Sequence, residues 1–394
     1  MNRRNSIAIT LFVCLILLIQ FSCQEPINGD DPVPVPGPVP GAPKLPPTPF
    51  DYAAGATMPT HIRNYINAHP DVDNTPGNNP ITNHGATLGR VLFYDKSLSV
   101  NNTIACASCH HQDKAFTDGL NVSKGFDGGV TRRNAMAIVN VRYFKAQKMF
   151  WDLRAATLEE QSLMPITDHI EMGMPSLSVL ETKLKGKAYY PALFKNAFGT
   201  EDITDDRIAK ALSQFMRSIV TFNSKYDQGL GNNFANFSTE ELRGKQLMTQ
   251  LNCTECHSDL TNVASRLEPT FIIVENSGVN TGFGANNALD LNYADNGIGE
   301  KTGLAKDMGT FKMPTLRNIA LTAPYMHDGR FSTLEQVMDH YQNGAKNHPN
   351  RGVQIPNGGY QFITAADKAA IVAFLKTLTD QSLVTDPKYS DPFK

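Results

Sequence analysis

The chain has 394 residues, of which 41% are hydrophobic, and its 36 basic and 38 acidic residues give a net charge of −2. This length and composition predict a substantial core and two domains once a leader is removed. The charges are interspersed, and no basic run follows Arg3 and Arg4, which excludes nucleic acid and anionic surfaces as predicted partners. We expect a neutral or protein partner.

Residues 1–23 have the layout of an export signal, because two arginines precede an apolar stretch from Ile7 to Phe21. A transmembrane anchor needs about 20 apolar residues, and this stretch is shorter. No A-x-A cleavage site lies nearby, so the segment resembles a lipoprotein signal in which Cys23 carries the lipid. Gln20 replaces the usual leucine of such signals, and release into the periplasm is the alternative.

Residues 24–50 form a predicted linker, since nine prolines fall between positions 31 and 50. This composition favours extended polyproline II and disfavours a packed core. We interpret it as a spacer between the membrane and the folded protein, of about 3.1 Å per residue. A ligand for a proline-binding domain is the weaker alternative outside the cytosol.

The chain has six cysteines, two of them in the leader, and the other four form two close pairs. Each pair is followed directly by histidine, and no cysteine remains for a long-range disulfide. The two C-x-x-C-H runs comprise Cys106, Cys109 and His110, and then Cys253, Cys256 and His257.

A C-x-x-C-H run is typical of covalent haem attachment, because two thiols at this spacing reach both vinyl groups while the histidine meets the iron. A zinc ribbon spaces its pairs roughly 15 to 20 residues apart, far closer than these. A thioredoxin-like motif needs a βαβ setting, and the flanking sequence is helical and turn-like. We therefore predict two c-type haems with His110 and His257 as proximal ligands.

The sequence around the two runs predicts a mainly α fold of two c-type cytochrome domains, 51–235 and 236–394. Each domain wraps around one haem, with long loops and little strand. A weak internal repeat, LGRVLF before the first run and GKQLM before the second, supports this division. Capping residues and apolar periodicity predict helices at 204–222, 365–378 and about Thr333–Tyr341.

From Leu88 to Lys376 the chain resembles the bacterial dihaem cytochrome c peroxidases and the related MauG proteins. The motifs occur in the family's order, namely LGRVLFYDKSLSVNNTIACASCH, RRNAMAIVNV, FWDLRAATLEEQ, EMGM, FSTEELRGKQL, CTECH and KMPTLRNIALTAPYMHDGRFSTLEQV. The resemblance implies that the first haem is peroxidatic and that the second passes electrons.

Two polar residues match the family's peroxide pocket. Glu171, in EMGM, matches a glutamate that shuttles a proton between the two peroxide oxygens. Gln161 matches the pocket glutamine, whose amide orients peroxide or its water. Without the flanking motifs, Glu171 would be interpreted as a surface charge and Gln161 as a polar helix residue.

The resemblance also assigns residues between the two haems. Trp151, the only tryptophan, matches an aromatic relay for electrons, although a lone tryptophan is more often core packing. Asn134, Thr322 and Pro324 match the ligands of an inter-haem calcium ion, the last two through backbone oxygens. A hard cation suits such oxygen ligands, but the calcium ion rests on the resemblance alone.

The sequence departs from the reductively activated peroxidases at Phe126, where those proteins carry a distal histidine. Phenylalanine cannot ligate iron, so we expect the first haem to be open to peroxide in its ferric form. His111 and His169 are the other histidines near the pocket motifs. We interpret His111 as an ordinary polar residue, while for His169 a pocket role and a surface role are equally favoured.

A second departure concerns the far ligand of the second haem. Ordinary peroxidases have methionine at the position of Tyr341, whereas MauG proteins have tyrosine. Met338 lies one turn back on the same helical face and is the competing ligand, and core packing is the alternative for Tyr341. We favour Tyr341, and because a phenolate stabilises oxidised iron we expect a low potential for this haem.

The predicted function is therefore reduction of hydrogen peroxide to water on the periplasmic side of the cell envelope. Electrons would come from a small c-type cytochrome or cupredoxin. A MauG-like oxidation of side chains in a partner protein is the alternative. A non-enzymatic dihaem electron-transfer cytochrome is a second alternative, disfavoured because a sealed haem needs no acid-base residues. Homodimers are common among similar peroxidases, so a homodimer is also an expectation.

Overall fold

The computed structural model describes residues 41–53, 58–68, 70–144, 148–257 and 284–394. The chain there is mainly helical with long loops, as predicted. Its strands are limited to one antiparallel pair, β1 (Gly284–Ala285) and β2 (Phe311–Lys312). No helix in these ranges is long and apolar enough to cross a membrane. The predicted signal, the lipidation site at Cys23 and the start of the linker lie outside the described residues.

The described residues form twelve α-helices, most of them short. They are α1 (Thr60–Ala68), α2 (Asn83–Tyr94), α3 (Leu158–Thr167), α4 (Leu177–Lys185), α5 (Tyr190–Phe198), α6 (Asp205–Ser218), α7 (Lys225–Leu230), α8 (Thr239–Gln250), α9 (Cys253–His257), α10 (Ile298–Thr302), α11 (Leu334–Asp339) and α12 (Ala365–Lys376).

The helix predicted at 204–222 is α6, which begins where expected but ends earlier. The Thr204 hydroxyl caps its first turn by accepting from the Arg207 N–H at 3.3 Å. At the other end Asn140 diverts the chain. Its N–H donates to the Ile219 carbonyl at 2.9 Å, and its side-chain oxygen accepts from the Thr221 N–H at 2.8 Å. These bonds replace the next helical turn.

The two predicted helices of the C-terminal half are also present. α12 begins with a capping box, in which the Thr364 hydroxyl accepts from the Asp367 N–H at 3.1 Å and the carboxylate accepts from the Thr364 N–H at 3.1 Å. α11 is shorter than predicted, because the chain widens into a π-helical turn at His340–Gly344. Such turns often occur at functional sites.

The repeat seen in the sequence corresponds to two similar helix crossings. α2 leads into the first C-x-x-C-H run and packs on α6, and α8 leads into the second and packs on α12. A Cβ atom added at Gly89 would lie 1.9 Å from the Ala211 carbonyl oxygen, and one at Gly244 would lie 2.0 Å from the Ala370 carbonyl oxygen. Only glycine permits backbones to approach so closely.

Two large apolar clusters of buried side chains organise the described residues, and a third, small one consists of Ile62, Val72, Tyr143 and Phe222. The first lies mostly between Ala86 and Ile219, and the second lies between Tyr226 and Leu378. Leu383 and Tyr389, from the end of the chain, join the first cluster. Residues 41–50 of the predicted linker also contact this cluster, through Ala42, Leu45 and Phe50. The domain boundary at 235 and 236 stays a prediction.

The close crossing at Gly244 predicts a stability defect on substitution. Gly244→Ala places a methyl group against the α12 backbone and should lower the free energy of unfolding by about 1–3 kcal/mol, despite the better helix propensity of alanine. Urea unfolding of the full chain measures the change. Gly77→Ala is the control, since nothing lies within 4 Å of a Cβ atom there. Equal stabilities of the two variants would contradict the predicted clash.

Candidate active site

The first C-x-x-C-H run lines a cavity of about 390 Å³. Cys106, Cys109 and His110 lie on its wall, and so do Gln161 and Glu171 from the motifs assigned to the peroxide pocket. Gln161 projects from α3, whose first turn is capped by Thr157. The structure thus brings these sequence-predicted residues to one cavity.

The second run lines a separate cavity of about 240 Å³. Cys253, Cys256 and His257, all on α9, lie on its wall together with Met338 and Tyr341. The remainder of the lining is mostly apolar and comes from the loops around β2 and from α11 and α12.

Both proximal histidines are oriented in the same way. His110 Nδ1 lies 2.7 Å from the Phe116 carbonyl oxygen, and His257 Nδ1 lies 3.0 Å from the Pro314 carbonyl oxygen. A neutral imidazole that donates from Nδ1 to a carbonyl keeps Nε2 free as a metal ligand. Burial lowers the pKa of both histidines, which favours the neutral form. Both side chains are therefore suited to iron ligation.

The segment that carries Pro314 is held by a buried ion pair. Arg317 donates to Asp227 of α7 through both terminal nitrogens, at 2.8 and 2.9 Å, and its side chain is completely buried. A paired, hydrogen-bonded charge can be tolerated at such depth. This pair fixes the loop whose carbonyl orients His257.

The two cysteine pairs lie on the walls of different cavities, so within the described residues they do not form the single four-thiol site of a zinc ribbon. Nowhere in the described ranges do three or more His, Cys, Asp or Glu side chains gather as metal ligands. Burial raises the pKa of Cys106 and of Cys253 to about 12. The cavities fit covalent haem attachment better than thiolate coordination.

The Glu171 carboxyl has the electrostatics of an acid-base group. Burial and the nearby negative charge of Asp168 raise its pKa to about 7, against the opposing effect of Arg154. A group with this pKa populates both its protonated and its ionised form at neutral pH, so it can act as an acid or as a base. The Glu171 backbone is fixed on both sides, since its N–H donates to Asp168 at 3.0 Å and its carbonyl accepts from the Phe126 N–H at 3.0 Å.

Three other residues that the sequence places near the peroxide pocket, Phe126, His111 and His169, do not line the first cavity. The Phe126 ring contacts Gly173, where an added Cβ atom would lie 2.3 Å from the ring, and Phe126 is absent from the described residues that line the cavity. His169 is exposed and also outside this lining. His111 Nε2 lies 3.0 Å from the Ser108 carbonyl oxygen. None of the three side chains occupies the pocket.

Trp151 lies between the two cavities and lines both. Its indole N–H donates to the Asn134 carbonyl at 2.9 Å, and its own carbonyl accepts from the Lys312 N–H at 2.7 Å. We call the set of residues common to both linings the shared wall. It consists of residues 134–137, Val141, Trp151 and Lys312.

The three residues assigned to calcium all line the second cavity. The Asn134 side-chain nitrogen donates to the Leu120 carbonyl at 2.8 Å, so its side-chain oxygen is the atom left for a cation. Thr322 and Pro324 follow a short 3₁₀ turn at Ile319–Leu321.

Tyr341 lies in the π-helical turn and Met338 lies one turn before it on α11. The Tyr341 carbonyl accepts from the Tyr360 N–H at 2.8 Å, and Gly359 permits this close approach. Burial raises the pKa of Tyr341 above its ordinary value. A phenolate at this position therefore needs a bound cation such as iron to stabilise it.

Comparison with known proteins assigns the family. Residues 83–234 match the family model described as di-haem cytochrome c peroxidase. MauG of Methylorubrum extorquens is 32% identical over 79% of this chain and 83% of that protein. Cytochrome c551 peroxidase of Nitrosomonas europaea is 33% identical over 75% of this chain and 79% of that protein.

A solved MauG-like protein associated with microbial copper homeostasis is 35% identical, with a TM-score of 0.71 over 82% of this chain and 97% of that one. The chain belongs to the family of dihaem cytochrome c peroxidases and MauG proteins, which confirms the resemblance seen in its motifs. The family is one of peroxidase-type oxidoreductases with two c-type haems.

Sequence reasoning did not single out Lys312 or Arg154, which also line the first cavity. Arg154 is held by Asp152 at 3.0 Å and stacks 3.6 Å above the centre of the Phe150 ring. Both residues fall inside the family motifs, but only the folded chain shows that they face a cavity.

The ligand assignment predicts a spectroscopic effect. Tyr341→Phe removes the phenolic oxygen and should change the absorption and electron paramagnetic resonance spectra of the second haem, while both haems stay attached. Met338→Leu, a substitution of similar volume, is the matched control and should leave the spectra unchanged. The assignment is wrong if Met338→Leu alters them and Tyr341→Phe does not.

Proposed function

We propose that this protein is an exported dihaem peroxidase that reduces hydrogen peroxide to water with electrons from a small redox protein, such as a c-type cytochrome or a cupredoxin. The observation that carries the proposal is the Glu171 carboxyl, with a pKa of about 7, in the same cavity as His110. An electron-transfer cytochrome needs no such group.

Each cavity has the residues that a c-type haem requires. Cys106, Cys109 and His110 would hold one haem in the first cavity, and the corresponding residues of α9 would hold the other. Such a haem supplies an iron that binds peroxide or exchanges electrons. The N-terminal domain, 51–235, would then be peroxidatic, and the C-terminal domain, 236–394, would transfer electrons.

The Glu171 carboxylate would take the proton from one peroxide oxygen and deliver it to the other, which leaves as water. The Gln161 amide would orient the peroxide by hydrogen bonding. The complete reaction uses two protons and two electrons per hydrogen peroxide and yields two water molecules. Arg154, in the same cavity, favours the ionised carboxyl and so keeps it available as a base.

Trp151 would connect the two cavities for electrons. Its ring lines both of them, and hydrogen bonds at the indole nitrogen and at the backbone carbonyl hold it in place. An aromatic ring in this position shortens the distance that an electron must cross in one step.

A MauG-like oxidation of side chains in a partner protein is the second candidate. Tyr341 on the wall of the second cavity favours it, since MauG proteins have tyrosine at the matching position. The 35% identity to a solved MauG-like protein also favours it.

Two further assignments belong to this proposal. Asn134, Thr322 and Pro324 would bind a calcium ion at the edge of the second cavity, where all three residues lie. The sequence of residues 1–23 would direct the protein to the periplasmic side of the envelope, with Cys23 as the lipid anchor.

Substitution of Glu171 tests the proposal. Glu171→Gln keeps the shape but cannot carry the proton, so kcat/KM for hydrogen peroxide should fall by about 10²–10⁴-fold. In the wild-type protein, kcat/KM should rise with pH up to about 7, because the base form of Glu171 predominates above its pKa. This limb of the pH profile should be absent in the variant. Steady-state oxidation of a reduced c-type cytochrome measures both.

The control for this experiment is Glu240→Gln, which removes an exposed carboxyl in the first turn of α8. Haem content and absorption spectra should be the same in both variants and the wild type. Unchanged turnover in Glu171→Gln with both haems attached would remove this carboxyl from the mechanism.

A further inference from the structure

The shared wall contains one ionisable side chain, that of Lys312, among the described residues. Lys312 is the last residue of β2, and its backbone N–H donates to the Trp151 carbonyl. Its ammonium group lies 3.9 Å from the centre of the Phe144 ring, which lines the second cavity. The backbone of Lys312 is therefore hydrogen-bonded to Trp151, and its side chain reaches the second cavity.

The second cavity has very little other charge. Its described lining contains no Asp, Glu or Arg, and Lys312 is the only lysine in it. A haem carries two carboxylates, and burial of an anion without a partner is costly. Lys312 is thus the one fixed cation that the described lining offers to such a carboxylate.

Three arginines that line the first cavity have carboxylate partners already, and Lys124 also lines this cavity. Arg132 pairs with Glu300 at 2.6 Å, Arg133 with Asp295 at 2.7 Å and Arg154 with Asp152 at 3.0 Å. Among the described residues, no carboxylate contributes to the pKa of Lys312, which burial alone shifts. Burial lowers the pKa of Lys312 to about 8, and a carboxylate beside the ammonium group would raise it again.

We propose that the Lys312 ammonium group is the counter-ion of a haem carboxylate at the shared wall, and that it sets the reduction potential of the second haem. This inference rests on the haem assignment in the proposed function but not on peroxide turnover. A fixed positive charge disfavours the oxidised, more positive state of iron and so raises the potential. Lys312 would then oppose the potential-lowering effect of a Tyr341 ligand.

A potentiometric titration of the full-length holoprotein tests this role. Lys312→Met keeps the length and apolar stem but removes the charge, so the potential of the second haem should shift to a lower value. Lys312→Arg should restore a potential close to that of the wild type. The first haem has other cations nearby, and its potential should move less.

Lys245→Met is the matched control. Lys245 also lies over an aromatic ring, 4.4 Å from the centre of the Phe234 ring, but it is absent from both cavity linings. Its removal should leave both potentials unchanged.

Two results would overturn the proposal. The first is an unaltered second-haem potential in Lys312→Met, and the second is an equal shift in Lys245→Met. Loss of the second haem from Lys312→Met with retention in Lys312→Arg would support it, because charge alone distinguishes those variants. Loss of that haem from both variants would indicate a packing role and overturn it. None of these results depends on peroxidase activity, so failure of this proposal can be distinguished from failure of the proposed function.

Discussion

The fixed position of Trp151 is the constraint on which the proposed mechanism depends. Its indole N–H is bonded to the Asn134 carbonyl and its own carbonyl to the Lys312 N–H. These bonds join the loop at 134–137 to β2, two segments far apart in sequence. The two cavities therefore have one wall in common, and in the proposed mechanism electrons cross it through the Trp151 ring.

The two cavities are built in the same way, and they differ in the polar residues that line them. A lead helix crosses its partner at a glycine, the cysteine pair follows, and a backbone carbonyl orients the imidazole. The first cavity then presents Glu171, whose pKa of about 7 suits proton transfer. The second cavity presents Tyr341. Because burial raises the pKa of this phenol, it ionises and binds as a ligand only when a cation lies beside it. The proposed division of roles, with proton transfer in the first cavity and electron transfer in the second, follows from this difference.

The sequence was sufficient to predict those features that a local motif determines. It predicted the family, the mainly α fold and the capped starts of α6 and α12, and the residues it assigned to the two haems line two cavities. The predicted helix at 204–222 extends beyond the end of α6, because Asn140, which diverts the chain there, is remote in sequence. Sequence reasoning also missed Lys312, since a position on a shared wall exists only after both halves have folded. The π-helical turn beside Tyr341 likewise depends on packing that periodicity does not encode.

The most direct test of the account is the time course of donor oxidation after the fully oxidised protein is mixed with hydrogen peroxide and a reduced small c-type cytochrome. The account predicts rapid donor oxidation without prior reduction of the protein, and much slower donor oxidation in Trp151→Phe with both haems retained. An oxidised wild-type protein that stays inert until it is reduced would contradict the open first cavity. An unchanged rate in Trp151→Phe would contradict the role of the shared wall.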